Sequence, residues 1–142
     1  MSTTLIQPYL TFGGRCEEAL DYYKSTLGAE VEMVMQFKQS PTPCDQLMPD
    51  GWGDKVMHCS FLIGDARVMA SDGCGDPLNF EGISLSLTLP DADAAKKAFD
   101  ALATEGQITM PMSETFWSPC FGMVADKFGV HWMITVPEEK SF

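Results

Sequence analysis

Residues 82–107 read GISLSLTLPDADAAKKAFDALATEGQ, and two periods meet in them. Ile83, Leu85, Leu87 and Leu89 alternate with small or polar residues, as one face of a strand does. Ala95, Ala98, Phe99 and Leu102 then recur at three- and four-residue steps, the apolar stripe of a helix. Pro90-Asp91 marks the change, and the Asp91 carboxylate is placed to cap the helix. Gly106 reads as the helix end. Beyond it, residues 107–116 form a strand that Pro111 confines to an edge or a bulge. Residues 121–125 and 130–136 are two more strands around the turn Asp126-Lys127-Phe128-Gly129. The order is strand, helix, strand, strand, strand.

The first half repeats that order. Residues 5–12 (LIQPYLTF) are a strand, and Pro8 either assigns it to an edge or turns its own nitrogen outward. Gly13-Gly14 breaks it. Cys16, Ala19, Leu20, Tyr23 and Leu27 mark a helix face, which Gly28 closes. Strands follow at 29–37, 56–63 (VMHCSFLI) and 66–71 (ARVMAS), the last two forming a hairpin around Gly64-Asp65. Residues 38–55 hold three prolines and two glycines without a period. They read as a loop of a length that is often functional, and their composition suits a lid. The expectation is an α+β fold: one domain, 1–142, of two βαβββ modules, about residues 1–78 and 79–142.

Composition narrows the function classes. The chain has 142 residues, 45% hydrophobic and 20% charged, with nine Lys+Arg against twenty Asp+Glu. A net charge of −11 argues against nucleic acid and against anionic membrane surfaces. No apolar run approaches the ~20 residues of a membrane span. The first ten residues lack the basic and apolar regions of a secretory signal. Cys16, Cys44, Cys59, Cys74 and Cys120 are odd in number and form no C-x-x-C pair, so reduced thiols in a cytoplasmic protein are expected. The ten methionines read first as core filler.

Several motifs then point to a family. Pro8-Tyr9-Leu10-Thr11-Phe12, Ala19-Leu20-Asp21-Tyr22-Tyr23 and Leu27-Gly28-Ala29-Glu30 resemble the opening of PhnB-like proteins. Met69-Ala70-Ser71-Asp72 resembles their middle motif. Glu114-Thr115-Phe116-Trp117, Phe121-Gly122, Asp126-Lys127-Phe128-Gly129-Val130 and Trp132-Met133-Ile134 resemble their closing signature. These proteins form a branch of the vicinal oxygen chelate (glyoxalase/bleomycin resistance/extradiol dioxygenase) superfamily. They are often labelled 3-demethylubiquinone-9 3-methyltransferase-like. The resemblance implies two modules forming an incomplete barrel around a central cavity, and a homodimer. In the superfamily's metal enzymes, four inward strand positions bind a divalent ion. Carried over, they fall on Gln7, on Ala70 or Ser71 with Asp72 just beyond, near Ser84, and near Met133. Of these only Gln7 is a family ligand type. One hydroxyl and one thioether do not assemble a zinc, nickel or iron site.

The remaining candidates divide residue by residue. His58 is the better placed of two histidines for chemistry, because His131 should point away from Trp132 in an alternating strand. His58 and Cys59 are strand neighbours and face opposite ways. Cys44, His58 and Cys74 match no zinc spacing. Tyr9, Phe12, Phe116, Trp117, Phe121 and Trp132 supply aromatic faces for a small-molecule pocket or for the core. Asp72 reads as a turn residue before Gly73 first, and as a polar anchor second. Neither glycine cluster matches a phosphate loop, and no glycine-rich strand-to-helix turn of a doubly wound methyltransferase is present.

The reading is a protein that binds a small apolar or aromatic molecule between its modules, with no resident cofactor. The expected ligand-binding residues are Gln7, Tyr9, His58, Asp72, Ser84, Phe116, Trp117, Phe121, Trp132 and Met133. The alternative is a metal-dependent lyase or isomerase of the glyoxalase type using His58, Asp72 or Glu114. The sequence assigns neither the ligand nor a reaction.

Overall fold

The computed structural model describes residues 4–40, 51–75 and 78–137. The chain divides into two compact units, Met1–Leu78 and Asn79–Phe142. The first contains β1 (Tyr9–Thr11), α1 (Cys16–Leu27), β2 (Glu30–Gln36), β3 (Val56–Ile63) and β4 (Ala66–Ser71). The second contains β5 (Leu85–Thr88), α2 (Ala92–Ala103), β6 (Gln107–Ser113), β7 (Phe121–Ala125) and β8 (His131–Thr135). Each unit forms one four-stranded sheet, ordered β1-β4-β3-β2 and β5-β8-β7-β6. First and last strands pair in parallel and the other neighbours antiparallel. This is the expected α+β fold of twice-repeated strand–helix–strand–strand–strand. Among the described residues, no helix is long and apolar enough to cross a membrane.

Both helices form for local reasons. In α1 the buried residues are Cys16, Ala19, Leu20 and Tyr23, and Gly28 closes it in the left-handed conformation at φ 68°. In α2 they are Ala95, Ala98, Phe99 and Leu102, the stripe read from the sequence, and Asp91 Oδ1 accepts from the Ala94 N–H at 2.8 Å. The end of α2 differs from expectation. Glu105, not Gly106, takes the left-handed conformation, at φ 61°. Gly106 answers a steric need: a Cβ there would collide with the Ala125 carbonyl and lie 2.7 Å from that of Leu102.

The prolines sit where strand chemistry requires. Pro8 precedes the edge strand β1, and its carbonyl accepts from the Met69 N–H at 3.0 Å. Pro111 lies in the edge strand β6, within a register shift between Met110 and Ser113. Part of the stretch read as a loop is ordered as 3-10 turns at Phe37–Gln39 and Trp52–Asp54. Residues 41–50, including Cys44, lie outside the described residues, and so does the lid expectation in that part.

Each unit is also tied by one buried aspartate. Asp72 is 1% exposed. Its Oδ1 accepts from the Gly14 and Cys16 N–H groups and its Oδ2 from that of Val56, all at 2.8 Å. The β1–α1 turn is thereby joined to the start of β3. Asp126 is 3% exposed. Its Oδ1 accepts from the Phe128 and Val130 N–H groups at 2.9 and 3.1 Å, and its Oδ2 from Trp132 Nε1 at 2.9 Å. Three charge-assisted hydrogen bonds offset the desolvation each carboxylate suffers.

Candidate binding faces

One face of the first sheet is covered by α1. Cys16 and Cys59 bring their sulfurs to 3.6 Å, and the Tyr23 and Phe61 rings stack with centroids 6.0 Å apart. Strand residues alternate, so His58 and Ser60 point to the other face. The register extends that face across the sheet: Tyr9, Met69, Ser60 and Met33 are paired in one row, with Met35 opposite His58. Ala70, one of the carried-over ligand positions, pairs with Leu10 and Cys59 and lies on the helix side, 0% exposed.

Polar groups on this face converge. Tyr9 Oη and His58 Nδ1 are 2.9 Å apart, and their rings are tilted with centroids 5.6 Å apart. Desolvation pushes the Tyr9 phenol up, and the nearby Cys59 sulfur adds to it; a Ser71 hydrogen bond opposes both. The phenol therefore keeps its proton at neutral pH. When Tyr9 donates to Nδ1, His58 offers its Nε2 proton outward. When Nδ1 donates to Tyr9, the phenol proton is free to point outward and Nε2 accepts. Either way the couple presents one donor and one acceptor to a ligand. Charge on the same face is neutralised internally: Arg67 binds Glu32 through two nitrogens at 2.6 and 3.0 Å and holds its carboxyl below the usual range.

The second sheet has the same plan. A Cβ at Gly122 would meet Phe99 of α2 at 2.9 Å, so Gly122, with its partner Ile134, faces the helix. Trp132 shares that side, 3% exposed. The opposite side carries a row of paired residues, Ser86, Met133, Met123 and Met110. Near one end, Phe116 stands edge-on to Trp117 at 4.7 Å, and Trp117 edge-on to Phe121 at 5.3 Å. Phe116 is 84% exposed and Phe121 is buried.

The structure thus brings Tyr9 and His58 together in the first unit, and Phe116, Trp117 and Phe121 in the second. It puts Met133 within a methionine row. Other expected residues take different places. Asp72 serves the frame, with both carboxylate oxygens engaged. Trp132 belongs to the core, its indole held by Asp126. Gln7 lies two residues before β1, and Ser84 is exposed just before β5, where Ser86 is the residue paired with Met133. Sequence reasoning misses Met33, Met35, Met69, Met110 and Met123 because abundant methionine first suggests packing; their two-residue and cross-strand spacing is the available signal.

The metal expected of the wider superfamily does not fit these faces. Thioethers, hydroxyls and one imidazole are a poor set for a hard or borderline divalent ion. Among the described residues, no three His, Cys, Asp or Glu gather into a metal-binding group. The first unit also has a polar cleft of about 300 Å³, lined by Gly14, Glu17, Gln36, Asp54, Lys55 and Asp72. Its groups largely satisfy one another: Lys55 Nζ donates to the Gly14 carbonyl at 3.0 Å, and Lys38 pairs with Asp54 at 2.7 Å.

Residues 4–135 match the family model described as 3-demethylubiquinone-9 3-methyltransferase. The chain is 35% identical to protein YjdN of Escherichia coli K12, over 95% of this chain and 97% of that one. Protein PA1353 of Pseudomonas aeruginosa superposes with a TM-score of 0.79 at 39% identity, covering 96% of this chain and all of that one. A PhnB protein from Bacillus cereus does so with 0.77 at 25% identity, covering 94% and 99%. A glyoxylase/bleomycin resistance protein/dioxygenase domain from Frankia sp. EAN1pec, 13% identical over 99% and 96%, shares the fold at 0.61.

Proposed function

We propose a function from the premise that this chain belongs to the PhnB-like, 3-demethylubiquinone-9 3-methyltransferase family with a glyoxalase-like fold: it binds a small apolar or aromatic molecule on the helix-free faces of its sheets. The observation that carries this reading is the Tyr9–His58 couple set among methionines. Small-molecule sites combine apolar lining with a few placed polar groups, and this face has that composition. Methionine supplies flexible, polarisable contact that adapts to ligand shape. The exposed rings of Phe116 and Trp117 offer stacking surface in the second unit.

The family's description names a methyltransferase, and we read that as a family label. Each described unit has one helix on one sheet. Neither has the alternating strand–helix units, nor the glycine-rich turn, on which a doubly wound enzyme cradles a nucleotide cofactor.

A thermal-shift screen tests the proposal. Planar aromatic, aliphatic and polar compounds are offered to the purified protein, alongside zinc, nickel, manganese and iron salts. A ligand at about 100 times its Kd stabilises by about 2.7 kcal/mol, enough to see. Shifts with apolar or aromatic compounds, diminished in Tyr9→Phe or Trp117→Ala, support the reading. Shifts with metal salts alone, or ligand shifts unchanged in both variants, overturn it.

A further inference from the structure

We propose that Cys16 and Cys59 are an oxidation site, converted by a hydroperoxide into an intrachain disulfide that a thiol reductant reverses. Cys16 opens α1 and Cys59 lies in the middle of β3. Both are free thiols, both 0% exposed, with sulfurs 3.6 Å apart. A disulfide bond is about 2.05 Å long, so the two side chains together close a gap of roughly 1.5 Å. The backbone around the pair is fixed. The Cys16 N–H is held by Asp72 at 2.8 Å, and Cys59 is paired with Val34 and Ala70 in the sheet.

The two thiols are not equivalent. The Cys16 hydrogen bond and the Ala70 backbone favour the Cys59 thiolate, outweighing burial and the Asp72 charge. The same hydrogen bond and burial push Cys16 strongly up. In one order Cys59 attacks and Cys16 resolves; either sulfur can donate in the contact between them, and the exchanged order gives the same disulfide. The Cys59 thiolate attacks the hydroperoxide, breaks its O–O bond and becomes a sulfenic acid, and the displaced oxygen leaves as water or alcohol after taking a proton. Cys16 sulfur then attacks the sulfenic sulfur, forming the S–S bond and releasing water with its own proton. Two thiols are oxidised by two electrons and one peroxide is reduced. Burial slows bulky reagents, which selects a small hydroperoxide as the oxidant. Cys74 is exposed and Cys120 lies in the other unit, so neither shares this arrangement.

The test is hydrogen peroxide titration of the full chain, followed by denaturation, alkylation and peptide mapping. The expected product is a cross-linked peptide joining Cys16 to Cys59, about 2 Da lighter than the reduced pair and restored by dithiothreitol. Cys74→Ser should form the same cross-link. Cys16→Ser should lose it and accumulate a Cys59 sulfenic acid that dimedone traps. Should that variant not fold, the wild-type map decides alone. The proposal fails if Cys16 and Cys59 both remain alkylatable once Met33 is fully sulfoxidised. It fails equally if the cross-link joins either one to Cys44 or Cys74.

Discussion

The Tyr9 hydroxyl reaches His58 Nδ1 at 2.9 Å although β4 lies between their strands. The tyrosine thus spans β4, the strand that carries its direct partner Met69. Removing either side of this couple should weaken ligand binding without unfolding the protein. Tyr9 is 49% exposed, so Tyr9→Phe should cost within about 1 kcal/mol of stability. Affinity for a ligand found by the screen should fall about tenfold in Tyr9→Phe and in His58→Gln, the worth of one well-placed hydrogen bond. Titration calorimetry reads both; unchanged affinity in both variants removes the couple from the site.

Tyr9 should also leave a mark on alkaline stability. Its phenol is raised in the folded protein above the ordinary value of 10.0. Stability from this source is complete below the unfolded value and is lost as pH rises through the folded one. Urea midpoints measured between about pH 9 and pH 11 should fall more steeply for the wild type than for Tyr9→Phe. Equal slopes would show that Tyr9 is not desolvated.

The two buried aspartates should dominate the polar contribution to stability. Asp72→Asn and Asp126→Asn each keep one oxygen but turn the other acceptor into a donor facing a donor. Each should cost about 2–4 kcal/mol. Asp91→Ala, which removes an exposed helix cap, should cost about 1 kcal/mol. Denaturant unfolding gives the ranking, and an aspartate-to-asparagine cost below that of Asp91→Ala would contradict it.

Neighbouring substitutions at the end of α2 should have opposite signs. Gly106→Ala drives a methyl group into two backbone carbonyls and should cost about 2–4 kcal/mol. Glu105→Gly relieves a left-handed residue and should gain about 0.5–1 kcal/mol. It also removes the Glu105–Lys127 ion pair, but at 3.9 Å and with Glu105 73% exposed that pair is too weak to reverse the gain. Thermal melts of the two variants moving in the same direction would refute the assignment.

These residues also show what is legible in the sequence. The helix stripes, the bounds of β3 and β4, and the edge positions of the prolines depend on neighbours a few residues away, and periodicity reveals them. The sequence has His131 pointing away from Trp132, and the alternation of β8 places it so. Asp72 reads as a turn residue because its donors, Gly14, Cys16 and Val56, are distant in sequence. Gly106 reads simply as the helix end because the approach of Ala125 is invisible locally. The ligand position carried over from the family falls near Ser84, not on Ser86, because the register of β5 is set by Met133, far along the chain. The family resemblance supplies the fold early, but the face on which each methionine lies comes only from strand pairing.

The parallel pairing of first and last strands bears on how the chain is made. Tyr9 cannot find Met69 until β4 has been synthesised, and Leu85 must wait likewise for Trp132. Each unit emerges from the ribosome with its opening strand unmatched, and closes only when its last strand is released. Helix α1 can form meanwhile, from local contacts that close quickly. A nascent chain stalled before residue 66 should therefore expose β1 to protease, while one stalled well past residue 71 should shield it.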